Sequence, residues 1–217
     1  MTPANFTPGP SQLYFTVPDH ARTAFREQIP SLSHRSKAFE KIFLETTEGL
    51  RQLLNVPDGF HIFFTGSATE IWERIIENLV EKKSLHLVNG SFSKRFYEIA
   101  RQLSRNAEKV EAPEGSGFGS EFVAGDAELI AITHNETSTG VSLPLDYIHT
   151  IHEKNKGALV AVDAVSSLPY PELNFNHVDT VFFSVQKGFG LPAGLGVWIV
   201  NEKCVERANR ILNKGTS

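Results

Sequence analysis

Four clusters of polar residues stand directly after short apolar runs, and each is suited to a different piece of chemistry. The run Thr180 to Ser184 leads into Gln186-Lys187-Gly188-Phe189-Gly190, followed by Pro192-Ala193-Gly194. A lysine so placed is either a surface charge at a loop mouth or a desolvated amine of lowered pKa, poised for Schiff-base chemistry. The run Ala158 to Val162 ends on Asp163 and opens Ala164-Val165-Ser166-Ser167. A carboxylate at the end of a buried strand is costly unless paired or hydrogen-bonded, so Asp163 is either a structural cap for the next turn or a site residue. Thr133 to Gly140 places seven polar residues and a glycine after an apolar strand, more hydrogen-bonding groups than a capped turn uses. Thr65-Gly66-Ser67-Ala68-Thr69 offers backbone N–H groups, a helix N-terminus and two hydroxyls to an anion. The plainer alternative there is a capped strand-to-helix turn. The segment lacks the Gly-Lys of a Walker A loop, which disfavours a nucleoside triphosphate.

The elements that must position these clusters follow from apolar spacing. Phe39, Ile42, Phe43, Leu50, Leu53 and Leu54 fall on one helical face between Ser36 and Asn55. The chain then alternates strand and helix: His61 to Phe64 before Ala68 to Glu81, and Leu85 to Val88 before Ser91 to Arg105. Glu114 to Gly125 reads as a loop, and its Gly115-Ser116-Gly117-Phe118-Gly119 lacks the preceding strand and following helix of a dinucleotide fingerprint. Strands are expected at Leu129 to Thr133, Ala158 to Val162, Thr180 to Ser184 and Gly196 to Val200. Helices are expected at Leu145 to Lys154 and from Glu202 to Leu212, the last carrying Cys204 as a small apolar residue. Alternation of this kind predicts an α/β fold, a three-layer αβα sandwich on a mostly parallel sheet, with ligands at the carboxyl ends of the strands.

Composition narrows the function. At 217 residues and 41% hydrophobic the chain can bury the core of one ordinary domain. A net charge of −4, from 21 basic and 25 acidic side chains, excludes the electrostatic footprint of a nucleic-acid binder. No apolar stretch approaches the roughly 20 residues needed to span a bilayer, so no membrane partner and a cytoplasmic location are expected. One cysteine rules out an internal disulfide and a multi-thiolate metal site, and no metal is expected.

Residues 129 to 200 closely resemble class V (fold-type I) aminotransferases. These carry a Thr-His-x-Glu-Thr-Ser-Thr-Gly-type loop, a strand-end Val-Asp-Ala-Val-Ser-Ser and a strand leading into Ser-x-Gln-Lys. All three appear in order at Thr133 to Gly140, Val162 to Ser167 and Ser184 to Lys187. The likeness extends upstream through Thr7-Pro8-Gly9-Pro10-Ser11, Ser33-His34-Arg35-Ser36, Phe64-Thr65-Gly66-Ser67 and Asn89-Gly90-Ser91-Phe92.

The resemblance implies pyridoxal 5′-phosphate as cofactor and a role for each matching residue. Lys187 would tether the cofactor as a Schiff base and later shuttle the substrate's Cα proton, while Asp163 would hold the ring-nitrogen proton. Phe92 would stack on the ring, and Thr137 would reach its phenolic oxygen. Ser67, Ala68, Thr69 and Gln186 would bind the phosphate, and His34 with Arg35 would contact substrate. It also implies a homodimer that exchanges an amino group between an amino acid and a 2-oxo acid by ping-pong chemistry. His134 to Thr137 and Ser33 to Arg35 lean towards phosphoserine aminotransferases, with phosphoserine and glutamate as substrates. Gly66-Ser67-Ala68-Thr69 is closer to the alanine:glyoxylate and serine:pyruvate branch. On this reading residues 1–20 form an irregular N-terminal arm and 21–217 the cofactor-binding large domain. The small domain would be missing, which leaves a non-catalytic cofactor-binding fragment as an alternative. A nucleotide-binding α/β domain is a further one, supported only by the glycine-containing turns.

Overall fold

The computed structural model describes residues 4–119 and 124–215. Parallel strands covered on both faces read as continuous apolar runs, and the three most apolar runs form the centre of the sheet. Strands β4 (Leu129–Thr133), β7 (Leu159–Asp163) and β8 (Thr180–Ser184) are buried at every position. With β1 (Phe60–Thr65), β2 (Lys83–Val88), β3 (Asn106–Glu111) and β9 (Gly196–Asn201) they make a seven-stranded sheet in the order β1-β9-β8-β7-β4-β2-β3. Only β9 runs against its neighbours, pairing antiparallel with both β1 and β8. The expected mostly parallel sandwich is therefore what the chain builds.

Alternate side chains of each strand feed two cores. Ile130, Ile132, Val160, Val162, Val181 and Phe183 pack towards α5 (Leu145–Lys154) through Ile148 and Ile151. Leu129, Ala131, Leu159, Ala161 and Phe182 pack towards α3 (Ala68–Leu79), α4 (Ser91–Gln102) and α6 (Glu202–Asn213). Cys204 is buried in α6, as its helical position suggests. Helix α2 (Lys37–Leu54) begins after Ser36, whose hydroxyl accepts from Phe39 N–H, and ends at Asn55 in a left-handed conformation.

Three expectations need correction. The irregular arm stops at Thr16, because α1 (Val17–Arg26) carries Pro18 in its first turn, where the missing N–H costs nothing, and Asp19 beside the helix N-terminus. Strand β3 escapes an apolar pattern because its sequence Asn-Ala-Glu-Lys-Val-Glu forms the largely exposed edge of the sheet. A two-stranded ribbon, β5 (Asn135–Glu136) with β6 (Val141–Ser142), folds out of the polar run after β4. It is too short and too polar to carry a periodic signal. In the expected loop at 114–125, residues 120–123 lie outside the described residues.

The register sets the site. Thr133 pairs with Asp163, and Asp163 with Phe182, so the carboxyl ends of β4, β7 and β8 lie side by side. All four polar clusters belong to that end of the sheet.

Candidate active site

A cavity of about 270 Å³ opens at the carboxyl ends of these strands. Ser67, Ala68, Thr69, Phe92, Thr137, Asp163, Gln186 and Lys187 all line it, so eight residues singled out in the sequence converge on one space. Trp72, Thr133, Asn135, Val165, Ser166 and Ser184 complete the wall.

Asp163 sits at its floor. Its Oδ1 accepts from Val165 N–H at 3.0 Å and its Oδ2 from the indole Nε1–H of Trp72 at 3.0 Å. Among the described residues it makes no ion pair. Burial pushes its carboxyl up to about 7; the two N–H donors pull the other way, and the Glu136 charge adds to the rise. Such a group gains most from a cationic N–H brought into the cavity. Trp72 was not foreseen. Its only sequence signal is an aromatic N–H on the buried face of the helix that follows the anion-binding turn.

Glu136, also fully buried, positions the ring of Phe92. One carboxylate oxygen accepts from Ser138 Oγ at 2.6 Å, and the other from Ser93 N–H and Ser93 Oγ, both at 2.9 Å. Burial opposes its charge, but the donors from Ser138 and Ser93 outweigh this and hold the carboxyl below the usual range. A carboxylate thus caps α4 from outside and fixes its first turn, from which half-exposed Phe92 faces the cavity. Gly90 is required here, because a Cβ would run into Glu136.

Ser67 caps α3, its hydroxyl accepting from Glu70 N–H at 3.1 Å. That leaves the first-turn N–H groups of Ala68 and Thr69, which no helix can satisfy internally, at the cavity wall. The capped-turn reading is what the structure shows, with the first-turn N–H groups directed at the cavity wall. Across the cavity, Gln186 Oε1 is buried without a hydrogen-bond partner. Ser166 Oγ ties the third cluster together, accepting from Asn135 Nδ2 at 2.9 Å and Thr137 Oγ1 at 2.8 Å.

Lys187 is held from an unexpected side. Its Nζ donates to Pro8 O at 2.9 Å, and Ser11 Oγ donates to Lys187 O at 2.6 Å. Ser11 N–H and Tyr14 N–H bond to Gln186 O and Gly190 O, both at 2.8 Å, so the N-terminal arm is laced along the lysine loop. Gly188 follows because a Cβ there would strike the backbone oxygen of Leu168.

His34 and Arg35 do not join this cavity. They lie in the turn before α2 and line a separate hollow with Ser36, Phe39, Glu40 and Phe43.

A mostly parallel αβα sandwich that gathers a lysine, a buried aspartate, an aromatic ring and a helix N-terminus around one cavity at its strand ends is the architecture of a cofactor-binding enzyme domain. The class-V aminotransferase profile matches residues 5–217, and the chain belongs to that family. A phosphoserine aminotransferase structure from Cytophaga hutchinsonii is 56% identical with a TM-score of 0.96, over 99% of this chain and 60% of that one. Phosphoserine aminotransferase of Rhodococcus opacus is 31% identical over 84% of this chain and 48% of its own length. Serine–glyoxylate aminotransferase of Hyphomicrobium methylovorum is 31% identical over 95% and 53%. The chain spans about half the length of these curated relatives.

Pyridoxal phosphate is the cofactor this membership indicates, and the residues present fit it. The buried, cation-free carboxylate of Asp163 suits a protonated ring nitrogen, and the unpaired N–H groups of Ala68 and Thr69 suit a phosphate. Among the described residues no helix is long and apolar enough to cross a membrane.

Proposed function

We propose that the protein transfers an amino group between phosphoserine or glutamate and the matching 2-oxo acids, by ping-pong exchange. The observation that carries this reading is the 56% identity to a phosphoserine aminotransferase across 99% of the chain. Pyridoxal phosphate, when bound, supplies a conjugated ring that takes up the electron pair left at the substrate Cα. The chain's residues do the rest. Lys187 Nζ would hold the cofactor covalently and would move the proton to and from the substrate Cα. Asp163 holds the proton on the ring nitrogen, and Trp72 holds Asp163 in place. Phe92 covers one face of the ring. Thr137 donates to the phenolic oxygen, while the N–H groups of Ala68 and Thr69, the Ser67 hydroxyl and the Gln186 amide bind the phosphate. The enzyme is a cytoplasmic homodimer.

A second reading, transamination of serine or alanine with glyoxylate, rests on the Gly66-Ser67-Ala68-Thr69 turn and on the Hyphomicrobium relative. Turnover of phosphoserine with 2-oxoglutarate, compared with alanine or serine plus glyoxylate, separates the two. A higher kcat/KM for the glyoxylate pair reverses the assignment. Independently of substrate, Lys187→Ala is expected to abolish the visible absorbance of the bound cofactor and to lower turnover by about 10³-fold or more. An unchanged band would remove Lys187 from its role.

A further inference from the structure

The opposite end of the sheet carries a second cluster that the proposed transamination does not use. Helix α5 brings His149, His152 and Glu153 to the segment entering β7, and a 3-10 turn, Phe175–His177, brings His177 to the segment entering β8. One ligand atom from each of His152, Glu153 and His177 lies within 4.8 Å of the other two. We propose that these three residues bind a divalent transition-metal ion of the zinc class, with water in the fourth position.

The ring nitrogens argue for it first. His152 Nδ1 and His177 Nδ1 are both buried without a hydrogen-bond partner. A buried polar atom left without a partner is destabilising, and two within one small cluster are a poor arrangement unless something else meets them. His177 Nδ1 lies 3.2 Å from Glu153 Oε1 without the alignment of a hydrogen bond, so its lone pair is directed elsewhere. Donors around a tetrahedral zinc, at bond lengths of about 2.0–2.1 Å, stand roughly 3.3–3.5 Å apart. His177 Nδ1 and Glu153 Oε1, 3.2 Å apart, are already close to that spacing, and all three ligand atoms lie within 4.8 Å of one another.

The surroundings supply what a metal ligand needs behind it. His152 Nε2 faces Asp179 Oδ2 at 3.7 Å, and Asp179 is itself fixed by Val160 N–H and Asn201 Nδ2, both at 2.8 Å. A carboxylate on that side favours Nε2–H and leaves the Nδ1 lone pair free for the ion. The competing contact is the Lys156–Glu153 ion pair at 2.9 Å, with both side chains more than half exposed. Exposed pairs of this kind contribute about 0–1 kcal/mol, well short of a zinc–carboxylate bond. Two nitrogens and one oxygen select zinc, nickel or cobalt over magnesium or calcium. Adjacent positions 152 and 153, with the third ligand 24 residues further on, form no recognisable ligand spacing in sequence.

Zinc binding to the chelator-treated, cofactor-loaded protein, followed by calorimetry and by thermal unfolding, tests this. The expected result is one zinc per chain at micromolar or tighter Kd and a raised Tm. His177→Ala and Glu153→Gln, both at partly exposed positions, should each weaken binding at least tenfold and remove the Tm increase. Cofactor absorbance should stay unchanged in both variants, since neither residue borders the cofactor cavity. No zinc uptake, or uptake that both variants retain, overturns the proposal. So does a Tm that responds to pH through these histidines but not to zinc.

Discussion

Asp163 and Asp179 are both buried at the ends of neighbouring strands, yet they are satisfied in opposite ways. Asp179, just before β8, accepts from Val160 N–H and Asn201 Nδ2 at 2.8 Å and has Lys203 Nζ at 3.6 Å and His152 at 3.7 Å. Asp163, closing β7, accepts two neutral N–H bonds and faces a cavity with no cation. A carboxylate that the fold needs is surrounded by donors and positive charge. A carboxylate that chemistry needs is left wanting a cation, which the proposed cofactor brings.

Asparagine substitution at the two positions should therefore differ in cost and in pH dependence, and these are the largest stability effects expected. Asp179→Asn puts an amide N–H₂ against donors and should destabilise by about 2–4 kcal/mol. Asp163→Asn also turns its N–H₂ towards one of two donors, but it removes the cost of ionising a buried carboxyl, so at neutral pH it should destabilise less than Asp179→Asn and its stability should not fall between pH 4 and pH 7. Burial pushes the folded Asp163 carboxyl up to about 7 from the ordinary 3.8, so between these values the folded state holds a proton that the unfolded chain has released. Stability from this group is full below pH 4 and falls as pH rises to about 7, at about 1.4 kcal/mol per pH unit. Denaturant unfolding of both variants at pH 5 and pH 7.5 measures this. If Asp163→Asn destabilises as much as Asp179→Asn does, the contrast between the two sites is wrong.

Glu136→Gln probes the buried acid that supports the cofactor end without the unmet demand of Asp163. Losing the charge on the first turn of α4 should cost about 1–3 kcal/mol. Cofactor affinity should fall with it, because Phe92 loses its fixed position; dissociation followed by absorbance gives the change. Trp72→Phe is the smallest step. It keeps the ring but removes one donor from Asp163, at about 1 kcal/mol. Its diagnostic is a pH-dependent loss of stability moved to higher pH, since a remaining brake on the Asp163 rise is gone.

Much of this fold was legible because the central strands are apolar at every position. Long apolar runs with glycine and proline punctuation gave β4, β7, β8 and α5 nearly to the residue. Edge strand β3 and ribbon β5–β6 were not legible, since their pairing is with backbone and their side chains follow no apolar period. At the site, motif residues carried their own signal, while supporting ones did not. Trp72 resembles any helix core residue, and Pro8 meets Lys187 through a carbonyl that every residue possesses.

The sequence by itself determined the sheet core, the family and eight of the residues lining the cavity, though not Trp72. Those depend on residue type and local order. Only the tertiary structure decided which aspartate lacks a cation, which histidine nitrogens are buried without a partner, and that His34 and Arg35 lie outside the cavity. Each of these depends on distance and desolvation between segments far apart in the chain, and neither is written in the order of residues.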